Sequence, residues 1–393
     1  MSPKLSPALR RLTAVLAVGA AVAAACLTGA TAASAPTAGA LPQNPADPLA
    51  GGPWGVYPGP WDAGLRAAYQ SAKSSGKTSR ANLLAKEALQ SRVIWFTQTF
   101  PTDKIASQMA KFVSIVQNGD PDTLVPIAIF RQFPHTEAKR DVPLTAAEQT
   151  AYRRWIAAAA KGVGNARALI VLEPDNAEVA PQPNPAAMTT AGRAVHERLV
   201  SYAAKTFAAL PNTSVYIDAG DADWLHLKDA VTLLEKSGVR YARGFTLGAT
   251  HYSSVAGNVT YAASIAKALA KAGYPGKHAV IDTADNGHPF TWAQYAAKHG
   301  SSTFVNAATC RSKAQKVCDS LGIAPTWQVV GTAQTAKLHL NAAQRKAAAT
   351  YVDAYVWVGR PWLHNQANPF ELNRALAVAR TTPFNETDTT GTP

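Results

Sequence analysis

Charge, cysteine and most catalytic signatures are scarce in this chain. Only 16% of its 393 residues are charged and only three are cysteine. There is no HExxH and no His or Cys cluster at ligand spacing, so neither a metal nor a cofactor is expected. No G-x-S-x-G elbow supports a serine hydrolase. No P-loop is present. Gly162-Val163-Gly164-Asn165 is only half a dinucleotide fingerprint and does not follow a strand pattern. Past the first 40 residues no apolar run is long enough to cross a bilayer. No internal repeat is visible, and the 52 Gly and Pro residues show no three-residue period, which excludes collagen.

What is present is apolar. Hydrophobic residues make up 47% of the chain and nine are Trp, enough to bury a large core and to exclude a wholly disordered protein. The formal charge of +13 is spread along the sequence. Its densest cluster, Arg311, Lys313 and Lys316, is short, and no RNA- or DNA-binding pattern accompanies it, so a nucleic-acid partner is not expected.

Residues 1–40 read as an export signal. Lys4, Arg10 and Arg11 form a positive start, residues 12–27 are apolar, and small residues follow. Cleavage after Ala35 or Ala40 satisfies the small-x-small rule. The apolar run is shorter than the ~20 residues of a membrane span. Cys26 lacks the upstream Leu of a lipoprotein signal. A secreted, extracellular protein with no membrane association after cleavage is expected. Export leaves Cys310 and Cys318 in an oxidising compartment, where a disulfide is the default.

Residues 41–53 read as a linker, 54–380 as one domain and 381–393 as a disordered tail. No carbohydrate-binding module is appended, and a monomer is expected. Within the domain, short apolar runs alternate with helical patterns. Strands are expected over 124–130, 168–172, 215–217, 244–247, 279–281 and 355–358. Helices are expected over 145–160, 186–209, 225–237, 260–272 and 369–379, the first opened by the capping box Thr145 to Glu148. This alternation predicts an α/β fold with a parallel sheet, closed into a distorted β/α barrel of about seven strands.

Asp175, Asp218 and Asp282 each follow an apolar strand. In parallel α/β folds the C-terminal strand ends converge on one face, so three acids there suggest acid/base chemistry. Asp also caps helices and starts turns, which is the plainer reading of any one of them. Trp54, Trp95, Trp224, Trp292, Trp357 and Trp362 lie near these segments. Aromatic faces stack on sugar rings, so acids among Trp point to a carbohydrate site; core packing is the alternative for each.

Five motifs in order resemble glycoside hydrolase family 6, the inverting β-1,4-glucanases and cellobiohydrolases. Val171-Leu172-Glu173-Pro174-Asp175 is similar to its "EPD" segment, and Tyr216-Ile217-Asp218-Ala219-Gly220 with Trp224 to its "YLDAGHxxWL". Ile281-Asp282-Thr283-Ala284-Asp285-Asn286-Gly287 resembles "DTSRNG", Gly244-Phe245 resembles "GFA", and residues 352–358 resemble "DAYLWVK". Asn44-Pro45 and Trp95 fit the opening segment. The resemblance implies a distorted barrel and a glucanase acting on β-1,4-glucan or a related polysaccharide. It implies Asp175 as general acid, with Glu137, in the place of the "PDRDC" Asp, as its partner in activating water. Asp218 would be a positioning acid and Trp224 a sugar platform. Trp95, Asp282, Asn306, Trp357 and Asn365 would position groups or bind substrate.

The chain departs from the family on its loops. In "WVKxPGESDG" the Lys becomes Gly359, the Glu becomes Leu363, and the Asp often assigned as base becomes Asn365. Asp285 replaces the Arg of "DTSRNG", and the polar pair of "NVSNY" falls at Gly248 and His251. Phe304-Val305-Asn306 stands for a Trp-Cys-Asn segment. An amide cannot accept a proton at neutral pH, so a second reading stands beside the enzyme: a non-catalytic carbohydrate-binding protein that keeps the glucanase fold.

Overall fold

The apolar runs become seven parallel strands, each consecutive pair separated by helix. The computed structural model describes residues 47–59, 61, 64–132, 142–181 and 188–384. The expected signal and residues 41–46 lie outside them, as does Glu137. The strands are β1 (Ile94–Thr97), β2 (Val125–Phe130), β3 (Ala168–Leu172), β4 (Thr213–Asp218), β5 (Gly244–Leu247), β6 (His278–Asp282) and β7 (Val352–Val356). They pair in chain order, all parallel. Each crossover therefore steps to the next neighbour in the same sense. The twisted sheet curls into a distorted α/β barrel, as expected.

β1 and β7 share no ladder among the described residues. Two hydrogen bonds bridge this seam: the Val93 N–H donates to the Trp357 carbonyl and the Trp95 indole N–H to the Val358 carbonyl, each at 2.9 Å.

Strand residues alternate between two cores. Leu169, Val171, Tyr216, Val280, Ala354 and Val356 pack together inside the curl. Ile170, Leu172, Val215, Ile217, Phe245 and Ile281 pack outward beneath the helices. Among the described residues no helix is long and apolar enough to cross a membrane.

Several boundaries moved. The helix expected from 260 begins at Val255, because Ser254 caps it by accepting the Gly257 N–H at 3.0 Å. The strand expected over 355–358 is Val352–Val356. Beyond it, the Val358 and Gly359 N–H groups turn to Asp282 instead of a ladder. β1 is four residues long and had no separate sequence signal. The capping box forms as expected, with Thr145 and Glu148 exchanging both bonds.

Both ends of the domain reach further than expected. Leu49 is buried in the inner core, and Arg167 donates to the carbonyls of Leu49 and Ala50, so residues 47–53 are docked and not a free linker. The last helix runs to Thr381, with Phe384 buried, so the expected tail is ordered to 384; residues 385–393 lie outside the described set. The Cys310–Cys318 disulfide is formed.

Candidate active site

β3 ends in a turn that breaks the rules for ordinary residues. Glu173 and Asp175 both have positive φ, 49° and 76°, a conformation that costs non-glycine residues of order 1 kcal/mol or more. The surroundings enforce it. The buried Glu173 carboxylate accepts the N–H groups of Arg131 and Gln132 at 3.0 and 2.9 Å and the Tyr152 hydroxyl at 2.8 Å. It thereby anchors the start of the segment that leads to Glu137. Sequence reading attended to the Asp of this motif and missed the role of its Glu.

Asp218, at the end of β4, holds the same turn from beneath. Its carboxylate accepts the Ala177 N–H and its carbonyl accepts the Asn176 amide, both at 3.1 Å. Burial pushes its carboxyl up to about 7, against the Ala177 N–H and with Asp175 adding to the rise. Asp218 thus ties the turn that follows Asp175 to the end of β4.

Asp282, at the end of β6, is a staple. Its two oxygens accept four backbone N–H groups, from Ala284, Thr250, Val358 and Gly359, at 2.7–3.1 Å. Burial pushes it up to about 6 against those four bonds. The expectation that the three Asp residues share one mouth fits the all-parallel sheet, since Asp218 and Asp282 end their strands and Asp175 lies three residues past the end of β3.

A cavity of about 710 Å³ opens at this mouth. Asp175, Trp95, Trp224 and Asn365 line it. Asn306 sits at its edge, its side-chain oxygen accepting the Asn365 N–H at 3.2 Å. Trp357 does not reach it. That ring is fully buried against Trp362, and its N–H donates to the Ile323 carbonyl at 2.8 Å. The expected binding role gives way to core packing, because the residue points out of the curl, toward the helices.

Four ionisable groups line the cavity besides Asp175: His251, at a position matched to the "NVSNY" polar pair, and Glu178, Asp223 and Arg360, which were not anticipated. Burial, then Asp175, pushes Glu178 up to about 7, opposed by His251. Burial lowers His251, but Asp221, the Ala249 carbonyl, Asp175 and Asp223 outweigh it, so its value rises. Arg360 lies on the Trp95 ring, and burial brings it down to about 10. Trp292, 51% exposed, adds an aromatic wall, its backbone N–H donating to the Asp223 carboxylate at 3.0 Å. Trp292 had been noted only as one Trp among several.

Two departures prove to be one. A Cβ placed on Gly359 would fall 1.9 Å from Asp285 Oδ2. Asp285 thus occupies the space a side chain at 359 would need. Its other oxygen accepts the Gln366 amide at 2.6 Å. Burial and neighbouring Asp319 and Asp282 push Asp285 well above the ordinary carboxylate range.

The family model for glycosyl hydrolases family 6 matches residues 56–362. The chain belongs to glycosyl hydrolases family 6. Among named members, endoglucanase A of Cellulomonas fimi is 30% identical over 237 residues, 60% of this chain and 47% of that protein. Endoglucanase 1 of Streptomyces halstedii is 34% identical over 144 residues, 36% of this chain and 43% of that protein. The matched stretch therefore spans less than half of either relative. The structure of endoglucanase Cel6 from Mycobacterium tuberculosis, in complex with a methyl-cellobiosyl thio-cellobioside, superposes with a TM-score of 0.64 at 25% identity. The match covers 86% of this chain and 99% of that one. Family 6 membership agrees with the seven-stranded barrel and with the motif order read from the sequence.

Proposed function

We propose that this family 6 protein is a secreted, monomeric glucanase that hydrolyses β-1,4-glucan or a related polysaccharide with inversion. The observation that carries this reading is the setting of Asp175. A carboxyl on a constrained turn lines a cavity of about 710 Å³ among Trp95, Trp224, Trp292, Phe130 and Phe304. Aromatic walls bind sugar faces, and the volume lies within the usual range for ligand sites. Asp175 would protonate the glycosidic oxygen as the C1–O bond breaks. Water would add to C1 from the opposite face, its proton taken by Glu137 directly or through a second water. Asp218 and Asp282 would position the acid and the loops without touching sugar.

The second reading, a non-catalytic carbohydrate binder, is favoured by Asn365, which lines the cavity with an amide where the family has a carboxylate. Incubating purified protein with a panel of β-glucans, and measuring new reducing ends and their anomeric form, separates the two. The glucanase reading expects new ends of inverted configuration. Retained configuration would reject the mechanism. Oligosaccharide binding that depends on Trp224, with no cleavage anywhere in the panel, would establish the binder.

A further inference from the structure

The turn that carries Asp175 carries a second carboxyl. Glu178 lies three residues on, in the 3-10 turn Asn176–Val179, and its N–H donates to the Asp175 carbonyl at 2.9 Å. Asp175 is the residue that opens this turn, so that backbone bond holds the two residues one turn apart. Asp175 and Glu178 both line the same cavity. The turn is fixed on three sides: by Asp218 through Ala177, by Asp218's carbonyl through Asn176, and by Arg193, whose guanidinium donates to the Val179 carbonyl.

Two charged groups act on Glu178: Asp175 from its own turn and His251 from the loop after β5. Asp223, after β4, and Arg360, after β7, line the same cavity. His251 turns its Nδ1 to the Ala249 carbonyl at 2.9 Å, which leaves Nε2 for other partners.

We infer that Asp175 and Glu178 form a proton-sharing pair at the cleft, with Glu178 as the positioning residue that keeps a proton on Asp175. The inference rests on the acid role proposed above for Asp175. In cleavage, the Asp175 proton passes to the leaving oxygen and the C1–O bond breaks. Water supplies the new C1–O bond, and its proton leaves through the base. Asp175 is then a carboxylate beside a second carboxyl. Two adjacent negative charges repel, so the pair takes up one proton from solvent before the next turnover. Glu178 is distinct from Glu137 and shares with Asp175 one turn and one cavity.

Two measurements on the full chain test the pair. In the first, carboxyl carbons of Asp and Glu are labelled with ¹³C and followed by NMR across pH, with Glu178→Gln used to assign the signal. The expected result is a two-step titration of Glu178 that collapses to one step in Asp175→Asn. A single step near ~4.3, the value of an isolated Glu, unchanged by Asp175→Asn, would overturn the pair. This readout needs no substrate. A two-step titration in a protein that cleaves no glucan would keep the pair and sink the hydrolase reading instead.

The second uses whichever glucan the panel finds cleaved. Removing the neighbouring charge by Glu178→Gln should let Asp175 lose its proton earlier. The alkaline limb of kcat should move down by about one pH unit, with KM unchanged. Glu178→Asp should restore the limb. An equal loss of rate at every pH, with the limb in place, would mean that Glu178 serves packing alone.

Discussion

The guanidinium carbon of Arg360 lies 4.1 Å from the ring centroid of Trp95. The ring is held at its rim as well, by its bond to the Val358 carbonyl and an edge contact with Phe130. Arg360 and Trp95 line the main cavity and also a smaller one of about 310 Å³ beside it. The pair thus stands where the two spaces adjoin, and one face of the Trp95 ring is already taken.

That contact should be measurable as a coupling energy. A double-mutant cycle of Arg360→Ala and Trp95→Phe, read by chemical denaturation, should give about 1 kcal/mol. Strictly additive effects would mean the cation and the ring merely lie near one another.

Asp175→Asn keeps the volume and removes the proton. Turnover should fall ~10²–10⁴-fold, the usual worth of general acid–base help. Substrates with good leaving groups should be spared, because they need less protonation. Glu137→Gln should also slow turnover, whereas Asn365→Ala should matter less, since an amide is no base. Full activity of Asp175→Asn on the same glucan would remove Asp175 from the mechanism.

Stability should fall as pH rises from acid to neutral. Burial raises Asp47, Asp218, Asp319 and Glu178 each to about 7 and Asp282 to about 6. The folded protein keeps protons on these groups that the unfolded chain releases from about pH 4 upward. The unfolded state then binds fewer protons, so the stabilisation is complete at low pH and lost as pH climbs through 6 to 7. His251, also raised, acts in the same sense; Asp353 and His288, both lowered, oppose it. The thermal midpoint should be higher at pH 5 than at pH 8. A midpoint that rises with pH would show that these carboxyls are ionised in the fold.

Gly359→Ala should destabilise the protein by about 1–3 kcal/mol, the usual cost of overpacking. Its Cβ would meet the Asp285 oxygen. The same change in an Asp285→Ala background should cost much less. Equal costs in both backgrounds, by denaturant titration, would separate the two positions.

The strands were legible because apolar runs such as 168–172 are buried on both faces and read as continuous hydrophobic stretches. β1 was not, since four residues carry too little pattern. Asp175, Asp218 and Asp282 could be found because each lies at or just past the end of an apolar strand, and strand ends converge. Trp357 misled because an aromatic beside a strand end can point either way, and only the pleat decides. His251 was reached only through the resemblance to "NVSNY", and Arg360 was missed, because loops after β5 and β7 bring them to the mouth and no local spacing records that. Glu178 had a signal, one 3-10 turn past Asp175, that only the turn's geometry made meaningful.

The four N–H groups gathered by Asp282 belong to the loops after β5, β6 and β7. None of these loops can lift without breaking bonds to the same carboxylate. The amides of Thr250, Ala284, Val358 and Gly359 should therefore exchange with deuterium at one common rate, set by a single opening event. One side of the cleft would then behave as a single mechanical piece, and a ligand pressing on any one of its loops would be felt by the other two.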